Sequence, residues 1–275
     1  MSLYRFDRRE TVELQGIPTL PPHDAGEGRL KKEAKRLGEQ LAELADLLFF
    51  AGQHSLLVVL QGMDTSGKDG TIREILQYVN AQSTQVAPFK VPTPIELAHD
   101  FLWRVHAVTP GKGHITVFNR SHYEDVLVVR VHSLVPEPVW QRRYARINSF
   151  EELLADSSTI VLKYFLHVSR EEQERRLLER ELEIEKAWKL SVGDWKERER
   201  WDDYQRAYED AIGRCSAEQA PWHVIPAAQK WYRNHPALES LVDALEGYAP
   251  AWRDTLASVG DKAKRELDEY RAGQK

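Results

Sequence analysis

Between Arg29 and Ala51 the apolar positions fall three and four apart, at Leu30, Ala34, Leu37, Leu41, Leu44 and Leu48. That spacing predicts an amphipathic helix. Lys31, Lys32, Lys35 and Arg36 stand on its polar face; they could form a polyanion-binding strip, but a solvated face is the favoured expectation. The pattern then changes. "SLLVVLQ", residues 55–61, is an unbroken apolar run ending at a glycine, which predicts a parallel strand buried on both faces. "DGTIREILQYVN" returns to helical spacing, with Ile72, Ile75, Leu76 and Val79 inward. "TQVAPF" reads as a second strand. Thr93, Pro94 and Glu96 carry three helix-start signals, so a helix through "IELAHDFLWRVH" is expected. "HITVFN" (114–119) and "STIVLKYFLHV" (158–168) read as strands. Ser169 and Glu172 have capping-box spacing ahead of a helix through "EEQERRLLERELEIEK". A short strand, "WHVIP" (222–226), and a helix over roughly 236–247 close the series.

Strands alternating with helices predict an α/β fold: a three-layer α/β/α sandwich around a central, mainly parallel sheet. Residues 1–27 mix charge with Pro and Gly and are expected to form an extended arm, on the surface or on a neighbouring subunit. Residues 28–250 form the folded domain. The charged tail, 251–275, is expected to be a loosely packed helix or partly disordered.

Composition narrows the class. With 275 residues and 42% hydrophobic content, the chain suits one sizeable domain. No apolar run is long enough to span a membrane, and "MSLYRFDRRE" has no apolar signal core, so a cytoplasmic protein without a membrane partner is expected. The single cysteine, Cys215, excludes an internal disulfide and an all-cysteine metal site. A formal net charge of -5 argues against a nucleic-acid binder. It leaves room for a basic groove that takes a polyanion.

The first chemistry-bearing stretch is "QGMDTSGKDG", residues 61–70. Gly62, Gly67 and Lys68 fit the first part of a phosphate-binding loop between a strand and a helix. Its amides and the helix start would bind phosphate, which assigns Gly62, Met63, Thr65, Ser66, Gly67, Gly70 and Thr71 to phosphate or nucleotide binding, with Lys68 adding a charge. Asp69 stands where such loops carry Ser or Thr for magnesium. Its place in the first helical turn gives it an ordinary reason to be acidic. Asp64 has none. It would repel a bound phosphate unless it holds a metal ion or orients an incoming phosphate.

The second stretch is "VFNRSHYEDV", residues 117–126. It follows a strand's C-terminal end, where open α/β sheets bind ligands. Arg120 is suited to a transferring phosphoryl group, and Asp125 to the vacant magnesium role. Ser121 and Glu124 have capping-box spacing, so Glu124 is divided between helix cap and substrate contact. Asn119 and Tyr123 are expected near the site. The third stretch, residues 180–210, is densely charged with interleaved aromatics. It reads as an exposed helix-turn-helix or as a lid at about 183–200, with Arg180, Lys189 and Arg198 as its phosphate-facing groups. Lys90, Arg104, Lys230 and Arg233 would extend a basic channel, although each alone is more ordinarily solvated.

"GMDTSGKDG", "FNRSHYEDVLVVRV", "HDFLWRVH", "APWHVIPAAQKWYRN" and "WDDYQRAYEDA", in this order, resemble the polyphosphate kinase family 2 enzymes over about residues 28–247. The resemblance implies a P-loop kinase-like fold with a helical lid. It also implies a reversible, Mg2+-dependent transfer of the terminal phosphate of inorganic polyphosphate to a nucleotide. The implied acceptors are adenine nucleotides, with guanine left open, and the implied assembly is a homodimer or homotetramer. Residue by residue, it makes Asp64 the catalytic carboxylate and Lys68 the phosphate grip, with Arg120 and Arg180 stabilising the transferring group. "SHYED" with Glu124 resembles the subgroup that accepts both AMP and ADP; other members carry Asn there. One departure is "ELEIEKAWK", with Ala187 where Arg or His is common. Two other readings compete: an ATP-dependent nucleoside monophosphate kinase of thymidylate-kinase-like type, against which Asp69 counts, and a nucleotide-dependent switch, in which Asp64 would have no purpose.

Overall fold

The computed structural model of the chain describes residues 4–182 and 191–272. Six strands form one sheet: β1 (Tyr4–Phe6), β2 (Ser55–Gln61), β3 (Thr84–Pro88), β4 (Ile115–Asn119), β5 (Thr159–His167) and β6 (Trp222–Pro226). Their order is β1-β6-β5-β2-β4-β3. All pairings are parallel except that of β1 with β6. β2 and β5 are buried along their whole lengths, as the continuous apolar runs require of strands covered on both faces.

The helices are α1 (Glu27–Ala51), α2 (Lys68–Leu76), α3 (Pro94–Leu97), α4 (Trp103–His106), α5 (Val128–Val131), α6 (Glu137–Asp156), α7 (Arg170–Leu182), α8 (Val192–Glu199), α9 (Trp201–Arg214), α10 (Lys230–Glu246) and α11 (Ala249–Ala272). Adjacent residues of β5 show how they sandwich the sheet. Lys163 reaches Glu151 of α6, whereas the Tyr164 hydroxyl meets Ser240 of α10. Neighbours along a strand point to opposite faces, so α6 and α10 cover opposite sides. α1 packs on α10, and α11 on α1. No described helix is long and apolar enough to cross a membrane.

The structure differs from the sequence reading in three places. The expected helix after Thr93 is two single turns, α3 and α4. The Thr93–Glu96 capping box is present, but the Asp100 side chain accepts from the Leu102 amide and turns the chain between them. The last helix of the domain begins at Lys230, well before 236; Pro236 lies inside it, removing one backbone donor without ending it. The N-terminal arm belongs to its own chain's sheet: β1 pairs along β6, and Val12 and Leu14 are buried. The tail is the loosely packed helix of the two expectations: α11 is mostly exposed and is anchored by buried Trp252, whose indole donates to His54.

Lys163 is a fully buried cation in the middle of β5. Its ammonium donates to Glu151, to the Tyr123 hydroxyl at 3.0 Å and to the Cys215 carbonyl, which uses all three donors. Burial opposes ionisation of Glu151, yet Lys163 and His122 outweigh it and hold the carboxyl below its usual range. A buried pair satisfied this fully tolerates no half-removal. Lys163→Met is expected to cost about 3–5 kcal/mol, because it leaves the Glu151 charge in the core without its cation. Denaturant unfolding of parent and variant, with unchanged slope, measures this; a loss below about 1 kcal/mol would mean that the pair behaves like a surface one.

Candidate active site

β2 and β4 lie side by side, with Leu60 opposite Asn119. Their C-terminal ends therefore deliver the Gly62–Gly67 loop and Arg120 to one edge of the sheet. The loop needs unusual backbone: Gly62 and Gly67 have φ of 150° and 107°, and Thr65, with no such freedom, has φ of 64°. Arg120 is also left-handed, at φ 62°. Two strained non-glycine residues facing one another across neighbouring strand ends mark this edge as a functional one.

Arg120 joins the two expected carboxylates. Its Nη2 donates to Asp64 Oδ1 at 2.7 Å and its Nη1 to Glu124 Oε2 at 3.3 Å. Gln61 at the end of β2 donates to the other Glu124 oxygen at 3.1 Å and to Ser121 Oγ. Glu124 is thus not a helix cap. The Ser121 hydroxyl accepts from the Tyr123 amide, in a 3-10 turn over His122–Asp125, and the Glu124 carboxylate turns to the site. Burial alone would lower the Arg120 pKa, but Glu124 and Asp64 outweigh it and hold the guanidinium firmly charged.

Lys68 lies beneath the loop. Its Nζ donates to the carbonyls of Gly62 and Met63, at 2.7 and 3.1 Å. Burial pulls its pKa down to about 8, although Asp64 acts against the fall. Asn119 donates to Asp69 at 3.0 Å, so the acidic residue that replaces the usual Ser or Thr is tied to the β4 end. Arg233, from the second turn of α10, lies across the loop glycines. A Cβ on Gly67 would come within 2.0 Å of its Nη1 and one on Gly70 within 2.7 Å of its Nη2. Burial and neighbouring Arg176 pull Arg233 down to about 10, the condition of a cation that an anionic ligand would relieve.

A cavity of about 1050 Å³ opens from this edge. Asp64, Thr65, Gly67, Lys68, Asp69, Gly70, Asn119, Arg120, Arg180, Lys230 and Arg233 line it as expected. Basic side chains outnumber carboxylates along its wall, which reconciles an acidic protein with a polyanion groove. Gly62, Met63, Ser66 and Thr71 build the loop from beneath: Ser66 is fully buried, and the Thr71 hydroxyl faces the Gly67 carbonyl. Arg180 is paired with Asp194 of α8 at 3.1 Å. Burial raises the Asp194 pKa, and Asp64 adds to the rise, which puts Asp194 within electrostatic reach of the site.

Five expected site residues lie elsewhere. Tyr123 is fully buried and hydrogen-bonded to Glu151 at 2.8 Å; an apolar ring on a turn was drawn into the core. Asp125 is taken up by Arg143 at 2.7 Å, and burial raises its pKa to about 6, so its carboxylate does not face the cavity. Arg104 donates to the Lys90 carbonyl at 2.9 Å, and neither residue lines the cavity. Arg198 bonds to the Arg170 carbonyl, Gln173 and Glu174 on α7. Lys189 and Ala187 lie outside the described residues, as does the first part of the expected lid. Conversely, Lys31 and Lys35, read as a solvated strip, border the cavity, together with Arg73, Arg175, Arg176 and Trp231, which were not singled out. The "EEQERRLLER" pattern on one helix start carried that signal for Arg175 and Arg176.

Among the described residues, no three His, Cys, Asp or Glu side chains come close enough to hold a metal ion by themselves. Magnesium is ordinarily bound by one or two carboxylates with substrate phosphates and water, and Asp64 faces the cavity in that way.

The polyphosphate kinase 2 family model matches residues 25–251. An AMP/ADP-polyphosphate phosphotransferase of Meiothermus ruber is 51% identical over 247 residues, covering 90% of this chain and 89% of that protein. An ADP-polyphosphate phosphotransferase of Rhodopseudomonas palustris is 37% identical, covering 92% of each. The crystal structure of polyphosphate kinase 2 from Arthrobacter aurescens superposes with a TM-score of 0.84 at 38% identity, over 90% of this chain and 92% of that one. With this fold, a modified phosphate loop and a match over most of its length, the chain belongs to the polyphosphate kinase 2 family.

Proposed function

We propose that the protein transfers the terminal phosphoryl group of inorganic polyphosphate to ADP and AMP, reversibly and with magnesium. The observation that carries this reading is the Asp64–Arg120–Glu124 bridge beside a basic cavity that Asp64 and Arg120 line. An ordinary ATP-dependent monophosphate kinase needs a Ser or Thr after the loop lysine. Here that position is Asp69, bonded to Asn119, and a second carboxylate, Asp64, sits inside the loop. The names of the relatives support the polyphosphate donor.

Both substrates are phosphate chains, so the protein's task is to bring two polyanions end to end. The nucleotide's terminal phosphate oxygen forms the new P–O bond. The bond from the transferred phosphorus to the bridging oxygen breaks, and that oxygen keeps the electron pair on the shortened polyphosphate. Lys68 and the loop amides hold one chain. Arg120, kept charged by Asp64 and Glu124, neutralises the equatorial oxygens in flight, and Arg180, on release from Asp194, closes from the lid side. Lys230, Arg233, Lys31 and Lys35 continue the positive wall for further phosphates. When bound, magnesium supplies charge neutralisation between the two chains, and Asp64 would hold it with phosphate and water oxygens. Adenine nucleotides are the acceptors in this reading, in line with the relatives that are named for AMP and ADP.

ATP formation from ADP, long-chain polyphosphate and magnesium, with no other donor, tests the reaction, and the same mixture with AMP tests the second acceptor. No product from either, with ATP-dependent phosphorylation of a monophosphate instead, would overturn the donor. In that assay Asp64→Asn, which removes charge and not volume, is expected to lower turnover by at least about a hundredfold with an unchanged melting temperature; near-normal turnover removes Asp64 from the chemistry. Glu124→Asn is expected to lower activity with AMP more than with ADP, whereas equal losses leave Glu124 only as a support for Arg120.

Lys68 gives a pH signature. Burial puts its pKa at about 8, and phosphate oxygens in place of two carbonyls would raise it. Binding therefore takes up protons around pH 8, and affinity weakens as pH climbs above that value, by up to about tenfold per unit. Titration calorimetry with polyphosphate in two buffers of different ionisation enthalpy at pH 8 reads the uptake, which Lys68→Met abolishes. The same heat in both buffers for the parent protein would mean that Lys68 is already fully charged.

A further inference from the structure

Two side chains of α7 hold the Asp64 loop by its backbone. The buried Gln173 donates Nε2 to the Asp64 carbonyl at 3.3 Å, and its Oε1 accepts from Arg198 Nη1 at 3.2 Å. One turn further, Arg176 donates Nη1 to the Thr65 carbonyl at 2.8 Å. Its Nη2 reaches the carbonyls of Ala227 and Ala228 at 2.7 and 2.8 Å. The strained left-handed turn at Thr65 is therefore clamped from the helix that leads to the lid, and so is the peptide carrying Asp64.

The Gln173 amide has a direction. A guanidinium can only donate and a carbonyl can only accept. With Arg198 in place, the amide must present its oxygen to Arg198 and its N–H to Asp64. Arg198 stands on α8, as does Asp194, which pairs with the substrate-facing Arg180. Seating of α8 on α7 and donation to the catalytic loop are thus ends of one hydrogen-bonded chain.

We propose that Gln173 is a positioning residue that couples the seating of α8 to the alignment of Asp64. With α8 docked, Arg198 fixes the Gln173 amide, the Asp64 carbonyl is held, and the carboxylate stays in line with Arg120. With α8 withdrawn, the amide is free to turn over, and Asp64 loses that restraint. This rests on the assignment of Asp64 to the chemistry. A small misplacement of a reacting group is enough to slow turnover without loss of binding.

The experiment is a double-mutant cycle in the polyphosphate-to-ADP assay, on the full-length protein. Gln173→Met keeps volume and removes both hydrogen bonds. It is expected to lower kcat about tenfold, with KM for ADP and for polyphosphate and the melting temperature close to parent values. Arg198→Met is expected to lower kcat as well, and the double variant to fall no further than Gln173→Met alone. Gln173→Glu, which keeps the bond to Arg198 but has no donor for Asp64, should lose kcat to the same degree; it also serves if the methionine variant folds poorly. A Gln173→Met enzyme with kcat within about twofold of parent, or effects of the two substitutions that simply multiply, overturns the coupling. Asp64→Asn is measured alongside. If it is inactive while Gln173→Met is normal, the relay fails and the reading of Asp64 stands; if Asp64→Asn is itself active, that reading fails first.

Discussion

A carboxylate can sit in a phosphate cradle only beside a cation, and here that cation is Arg120. Its guanidinium lies between Asp64 and Glu124, one from each of two adjacent strand ends. A great deal follows from that placement. The parallel pairing of β2 with β4 brings the two strand ends level. The left-handed backbone at Arg120 turns its side chain back toward the loop. Glu124 must leave its local helix end to complete the bridge. Remove the arginine, and two negative groups face an incoming chain of negative charges with nothing to offset them.

Beneath the bridge, the buried Lys163–Glu151 pair sets the height of the turn that carries Glu124. Tyr123 is bonded to both members of that pair, and it precedes Glu124 in sequence. The polar core and the reactive edge are therefore joined through one residue, Tyr123, whose hydroxyl bonds to the core pair and whose amide donates to Ser121. A protein of this kind uses its core to hold charge in place as well as to bury apolar surface.

The sheet was legible because parallel strands buried on both faces leave long apolar runs, and the phosphate loop because its glycines and lysine are spaced for one backbone shape. Asp64 stood out because no structural need explains it. The failures share a cause: a side chain's direction depends on partners distant in sequence. Nothing near Asp125 reveals that Arg143 will claim it, and nothing near Tyr123 reveals Glu151. Gln173 was invisible for the same reason, since an uncharged amide in a charged helix has no local signature. Lys31 and Lys35 were read as solvent-facing because helical periodicity gives the face and not what comes to stand opposite it. The first strand was missed because Tyr4–Phe6 is too short to show alternation; only β6 makes it a strand.

Lys68 supplies a last consequence. Its ammonium rests on the carbonyls of Gly62 and Met63, so the loop itself holds acceptors that can stand in for phosphate oxygens. Each arriving phosphate displaces those acceptors, and each departing one is replaced by them. The lysine has oxygen acceptors on both sides of the exchange. An enzyme that handles a chain of phosphates gains from this arrangement: the grip of its lysine is traded between two sets of oxygens and is never left without either.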